Sequence, residues 1–180
     1  GHLQAIRTGS KPQLDLLVIG MLGRAHITFL TNDEAGMKES WHTNGTFQIP
    51  HNPVADVDGD GKLEIVYTRV SDSDSGGPPR REEAVLTIRD LATGAVKREI
   101  PGMRLQGIVD LDGRGRPDLI ATTVPEGRIV LRAGGPQAQE VALPGAHLCL
   151  TAPPPPLHMM NESLADRSGY NVFARDLDGD

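Results

Sequence analysis

Short apolar stretches rich in Val, Ile, Leu and Thr alternate along the chain with turns rich in glycine, proline and aspartate. This pattern is typical of β-strands rather than helices. One order of elements recurs: a short strand leads into an acidic loop, a β-branched strand leaves it, and two strands joined by a glycine-containing turn follow. The pattern predicts units of four antiparallel strands. The predicted strands are 14–21, 25–30 and 37–42 in a first, partial unit, then 53–57, 63–70, 84–90 and 95–100, then 106–111, 118–124, 128–132 and 139–143, with 171–177 opening another.

An internal repeat supports these units. Residues 55–66 read Ala-Asp-Val-Asp-Gly-Asp-Gly-Lys-Leu-Glu-Ile-Val, and residues 109–120 align with them without a gap as Val-Asp-Leu-Asp-Gly-Arg-Gly-Arg-Pro-Asp-Leu-Ile. The acid before the apolar strand recurs at Asp15, Glu64 and Asp118, at offsets of 49 and 54 residues. Such a spacing suits one four-stranded unit per repeat.

Composition narrows the class of protein. The chain has 180 residues with 21 Gly and 14 Pro, which disfavours long helices, and only 3% of its residues are aromatic. The formal net charge is −6 and no basic stripe is visible, so nucleic-acid binding is not expected. A single cysteine excludes an internal disulfide and a cysteine-rich zinc site. No apolar run reaches the ~20 residues that span a bilayer, so we expect no membrane span.

The acidic loop that starts at residue 56 is the clearest candidate site. Carboxylates stand at loop positions 1, 3, 5 and 9, and position 7 can offer its backbone carbonyl. Ca²⁺ takes six to eight oxygen ligands, and the glycines at 59 and 61 permit the positive φ angles of a loop that wraps an ion. Without a cation the acids would repel each other. The predicted calcium ligands are Asp56, Asp58, Asp60, the carbonyl of Lys62, and Glu64.

An EF-hand loop begins in a similar way, but it needs a bidentate Glu at position 12 and a following helix. Position 12 is Tyr67, and the residues around it predict a strand. The loop is therefore not interpreted as an EF-hand. A solvated acidic turn without a bound ion remains the alternative.

The other copies of the loop differ in their acids. The second keeps Asp110, Asp112 and Asp118 but has Arg114 at position 5, so that either calcium binds weakly or the guanidinium pairs with the aspartates. The first has only Asp15 and is expected to be metal-free. The third shows three aspartates before the sequence ends, and we expect an ion there only if further residues complete the loop. These are Asp176, Asp178 and Asp180.

The run of aspartates and glycines at 56–61, followed by Leu-Glu-Ile-Val at 63–66, resembles the FG-GAP or VCBS-type repeat of bacterial extracellular proteins and integrin alpha chains. The resemblance implies an all-β fold, a β-propeller with calcium in its hairpin loops. It implies a partial propeller of about three blades. The expected division is a blade part at 1–50, blades at 51–104 and 105–150, a Pro-rich insertion at 151–168, and the start of a next blade at 169–180.

Both ends of the sequence look cut, so we expect either a fragment of a longer protein or closure with other chains; the oligomeric state stays open. Extracellular calcium modules bind with Kd about 10⁻⁴–10⁻³ M, which favours a secreted, periplasmic or cell-surface location. The leading hypothesis is a non-catalytic binding, adhesion or structural module for an unidentified protein or polysaccharide. The alternative is the propeller domain of a secreted polysaccharide lyase or related carbohydrate-active enzyme.

Trp41 is expected to fill the space between blades.

Overall fold

The computed structural model describes residues 2–9, 12–20, 25–50, 52–71, 84–110, 115, 117–124, 128–132 and 140–147. These residues form strands and turns and contain no helix, which confirms the prediction of an all-β antiparallel fold. The strands are β1 His2–Ile6, β2 Asp15–Gly20, β3 His26–Asp33, β4 Gly36–Asn44, β5 Thr46–Gln48, β6 Val54–Ala55, β7 Glu64–Val70, β8 Ala84–Asp90, β9 Val96–Pro101, β10 Met103–Val109, β11 Asp118–Thr123, β12 Arg128–Arg132 and β13 Glu140–His147.

Three separate sheets follow one another along the chain. The first sheet has the strand order β1-β2-β3-β4, and the third has the order β10-β11-β12-β13. The second sheet has the order β5-β7-β8-β9, and the short strand β6 also pairs with β7. All the strand pairs are antiparallel, and most join strands that are consecutive in the sequence, so each sheet is a local meander.

The second sheet lies between the other two, and its strands β7 and β8 are buried on both faces. One apolar cluster joins Leu17 and Phe29 of the first sheet to Tyr67 of the second. On the opposite face, Val66 packs with Leu119 of the third sheet in a second cluster. Full burial of an aliphatic or aromatic side chain is worth about 1.5–3 kcal/mol, so these two interfaces supply much of the cohesion of the stack.

Trp41 holds the first sheet against the turn that follows β8. Its indole N–H donates a hydrogen bond of 2.7 Å to the carbonyl of Leu91. The Arg89 guanidinium lies 5.4 Å from the ring centroid, a cation–π contact. A Cβ added at Gly94, whose φ is +72°, would come within 2.5 Å of the indole, so only glycine fits there. Trp41 thus packs in the cluster shared by the first and second sheets; that these sheets are blades stays a prediction.

Several strand predictions coincide with the structure, and the differences have local causes. The predicted strands 84–90 and 128–132 match β8 and β12. The sequence interpretation missed β1, whose five residues contain no Val or Thr and leave Leu3 67% exposed. The first sheet consequently has four strands rather than three. The predicted insertion 151–168 and strand 171–177 lie outside the described residues.

Candidate metal centre

The three sheets share one register at the connection where the acidic loop lies. In each sheet the last paired residue of one strand faces the acid that begins the next, and eight residues separate the two. The acid is buried in all three sheets. The repeated acid is thus a feature of the fold, independent of what the loop itself contains. The facing pairs are Ile6–Asp15, Ala55–Glu64 and Val109–Asp118.

In the second sheet the loop of residues 56–63 is organised by its own aspartates. Asp56 accepts backbone N–H bonds through both carboxylate oxygens, from Gly59 at 2.7 Å and from Gly61 at 2.9 Å. The two glycines have φ angles of 77° and 83°, which confirms the predicted left-handed conformations. The Val57 side chain is buried in the cluster between the second and third sheets. The loop is therefore compact, and Val57 anchors it to the core.

Three carboxylates of this region converge. Asp56, Asp58 and Glu64 each present an oxygen atom, and these atoms lie within 4.8 Å of one another. Glu64 Oε2 accepts the N–H of Val57 at 2.9 Å, so the buried carboxylate is fixed in place. A cluster of carboxylate oxygens with this spread could hold a metal ion, and hard divalent cations prefer such ligands.

Lys97 already brings a positive charge into the cluster, as the sequence interpretation did not anticipate. Its Nζ donates to Asp58 Oδ2 at 2.8 Å, to Asp60 Oδ2 at 2.9 Å and to Glu64 Oε1 at 2.8 Å. The side chain is 26% exposed, so the ammonium group is partly shielded from water. Asp60 is not one of the three converging residues, but Lys97 connects it to two of them, Asp58 and Glu64.

A β-bulge explains the position of Lys97. Ile88 pairs with Arg98 and Arg89 pairs with Val96, so Lys97 is an extra residue in β9 that has no direct partner on β8. Bulges redirect side chains away from the regular alternation of a strand. The first sheet has a bulge at the equivalent place, between Phe29 and Leu30, and there the extra residue is Ser40.

The electrostatics of the cluster follow from burial and from Lys97. Burial raises the pKa of Glu64, an effect that its hydrogen bonds with Lys97 and Val57 only partly offset. The hydrogen bond from Lys97 lowers the pKa of Asp60, helped by the backbone N–H of Lys62. Burial alone would lower the pKa of Lys97, but hydrogen bonds to Asp58, Glu64 and Asp60 outweigh it and raise that pKa.

The remaining predicted ligands lie in different environments. Lys62 has an exposed side chain, as expected, and its N–H donates to Asp60 Oδ1 at 2.8 Å; a metal contact by its carbonyl stays a prediction. In the third sheet Asp110 is exposed and accepts the N–H of Gly115 at 2.7 Å, the counterpart of the bond from Gly61 to Asp56. Asp118 is buried at the start of β11. Outside the described residues lie Asp112, Arg114, Asp176, Asp178 and Asp180.

The structure separates the loop from an EF-hand. Glu64 opens strand β7, and Tyr67, at position 12, belongs to the core. Its ring makes an edge-to-face contact with Phe47 at 5.1 Å between centroids. The prediction that the loop leads into a strand is confirmed.

No known protein-family model matches the chain, and comparison with curated proteins and with solved structures gives no match either. Within the described parts of the chain, no helix combines the length and the apolar character needed to cross a membrane.

Proposed function

We propose that the chain forms consecutive blades of a calcium-stabilised β-propeller that acts outside the cytoplasm as a binding, adhesion or structural module. One observation carries this proposal: three antiparallel meanders stack in the same register, and the carboxylates of one connecting loop converge beside the middle one. Stacked four-stranded meanders with loops at one connection suit the FG-GAP or VCBS-type resemblance of the sequence.

The faces of the sheets support a continuing stack. Asp15 corresponds to Glu64, so Leu17 corresponds to Val66. Leu17 packs against the second sheet, and Val66 packs against the third. By the same register Tyr67 corresponds to Ala121, and each packs against the preceding sheet. Every interface thus joins the same two kinds of face, as expected of repeats that stack with a constant rotation. We assign one blade to each sheet, so that the boundaries expected at 50/51 and 104/105 move: β5, at Thr46–Gln48, belongs to the second blade, and the third blade begins with β10 at Met103.

Calcium suits the loop because its donors are hard oxygens. Asp56, Asp58, Asp60 and Glu64, with the carbonyl of Lys62, would hold the ion. Once bound, the ion would neutralise the carboxylates and fasten the connection between β6 and β7. A site of this type fits a millimolar environment, which points to an extracellular, cell-surface or periplasmic location. The partner would be a protein or a polysaccharide that contacts the rim of the stack.

We favour a non-catalytic role over the carbohydrate-active alternative. The converging carboxylates are engaged by backbone N–H groups and by Lys97. Glycoside hydrolysis instead uses a pair of carboxyl groups that face a substrate.

Thermal unfolding of the full chain in calcium and in EDTA tests the proposal. With a Kd of about 1 mM, 10 mM CaCl₂ stabilises the folded state by about 1.4 kcal/mol and raises Tm by roughly 3–6 °C. Asp58→Asn should abolish the rise. Asp33→Asn, which changes a half-exposed acid at the end of β3 that pairs with Lys38, is the control and should keep the rise. An identical Tm of the unmodified chain in calcium and in EDTA would refute the calcium site.

A further inference from the structure

The ammonium group of Lys97 lies at the point where the loop carboxylates meet. Its three contacts of 2.8–2.9 Å reach Asp58, Asp60 and Glu64, all of them predicted metal ligands. A calcium ion bound to the same oxygens would lie about 2.3–2.6 Å from each of them. A lysine nitrogen and a divalent ion cannot share that space, because they would overlap and repel each other strongly.

The backbone directs Lys97 towards the loop, so its contacts do not depend on a flexible surface side chain that happens to reach the carboxylates. It is the extra residue of the bulge in β9, and its side chain is mostly shielded. The bulge recurs in the first sheet, where Ser40 replaces the lysine and donates to the carbonyl of Ala92 at 2.9 Å. There the loop carries Arg7 and Lys11 where the second sheet has Asp56 and Asp60. Lysine at the bulge thus accompanies acids in the loop.

We propose that Lys97 is a resident counter-ion that competes with calcium for loop 56–63, so that the ammonium group must leave when the ion binds. This inference rests on the proposed function, in which the loop is a calcium site. Two consequences follow. Lys97 keeps the loop folded where calcium is scarce, because it neutralises carboxylates that would otherwise repel each other. It also weakens calcium binding, because the ion has to break three charge-assisted hydrogen bonds.

Isothermal titration of CaCl₂ into the full chain compares four proteins: the unmodified chain, Lys97→Met, Lys97→Gln and Lys38→Met. Lys38 is the control, since it is a lysine of the first sheet with an exposed side chain that pairs with Asp33 and is not part of the loop. Replacing Lys97 should tighten calcium binding by about tenfold, whereas replacing Lys38 should change it by less than about threefold. Lys97→Gln keeps a hydrogen-bond donor without the charge and serves if the Met variant does not fold.

Thermal unfolding in EDTA adds a second readout of opposite sign. The Lys97 variants should unfold at a lower temperature than Lys38→Met in EDTA and recover most of the difference in 10 mM CaCl₂. Equal calcium affinities of the unmodified chain and both Lys97 variants would overturn the role of Lys97 and leave the calcium site standing. No binding by any of the four proteins would overturn both proposals.

Discussion

The first and second sheets place a buried acid at the same position but satisfy it in different ways. Asp15 accepts a hydrogen bond from the Thr8 hydroxyl and another, of 2.8 Å, from the backbone N–H of Asn32. Glu64 accepts from the N–H of Val57 and from the Lys97 ammonium. Both of these donors to Asp15 are uncharged, whereas one of the donors to Glu64 is the ammonium group of a lysine on the last strand of the second sheet.

The two sheets together show which residues of the motif the fold requires and which residues would serve to bind an ion. The buried acid, its register and the length of the loop are the same in both sheets, so they serve the connection between strands. The loop acids and Lys97 occur together in the second sheet, where they create a demand for positive charge. A buried carboxylate in this repeat is accordingly a poor indicator of metal binding, and the loop aspartates are a better one.

Removal of the acid in the first sheet should have the largest effect. Asp15→Ala removes a buried carboxylate and leaves the half-buried Thr8 hydroxyl and Asn32 N–H without this acceptor, which should cost about 2–4 kcal/mol of unfolding free energy. Urea unfolding measures the loss, and it should be equal in calcium and in EDTA. A loss that appears only in one of the two buffers would contradict the division of roles between the sheets.

Glu64→Gln should have a smaller effect in EDTA. The glutamine can still accept the N–H of Val57. The substitution also removes a charge that is costly to bury, as the burial-raised pKa of Glu64 shows. We expect a loss of about 1 kcal/mol, since one charge-assisted bond to Lys97 is exchanged for a neutral one. The same urea experiment in 10 mM CaCl₂ should show that the stabilisation by calcium is gone. Glu99→Gln, at an exposed acid on β9, is the control and should retain it.

The smallest expected effect is a change in the unfolding free energy at alkaline pH. The carboxylates raise the pKa of Lys97 in the folded state, outweighing the opposite effect of burial. The stabilisation from Lys97 is therefore complete below the ordinary lysine pKa of 10.5 and is lost as the pH rises through the folded-state value. With allowance for solvent screening, the contribution is about 1 kcal/mol. In EDTA, the difference in unfolding free energy between the unmodified chain and Lys97→Met should shrink above pH 10.5; a constant difference would contradict the prediction.

Much of the local structure could be predicted because it depends on neighbouring residues. The alternation of β8, the positive φ angles of Gly59 and Gly61, and the strand after Glu64 are all encoded within a few positions. Lys97 could not be found in this way. It is 33 residues from Glu64, it lies on a strand with mostly exposed residues, and its direction depends on a bulge that the alternation pattern does not reveal.

The outward side of the first sheet bears on how the protein behaves in concentrated solution. Val18 corresponds to the fully buried Tyr67 but is only half-buried, and Leu3, its cross-strand partner, is 67% exposed. An apolar face that no other sheet covers favours self-association of stacked repeats. Leu3→Lys would make this face more polar, on a strand of a different sheet from loop 56–63.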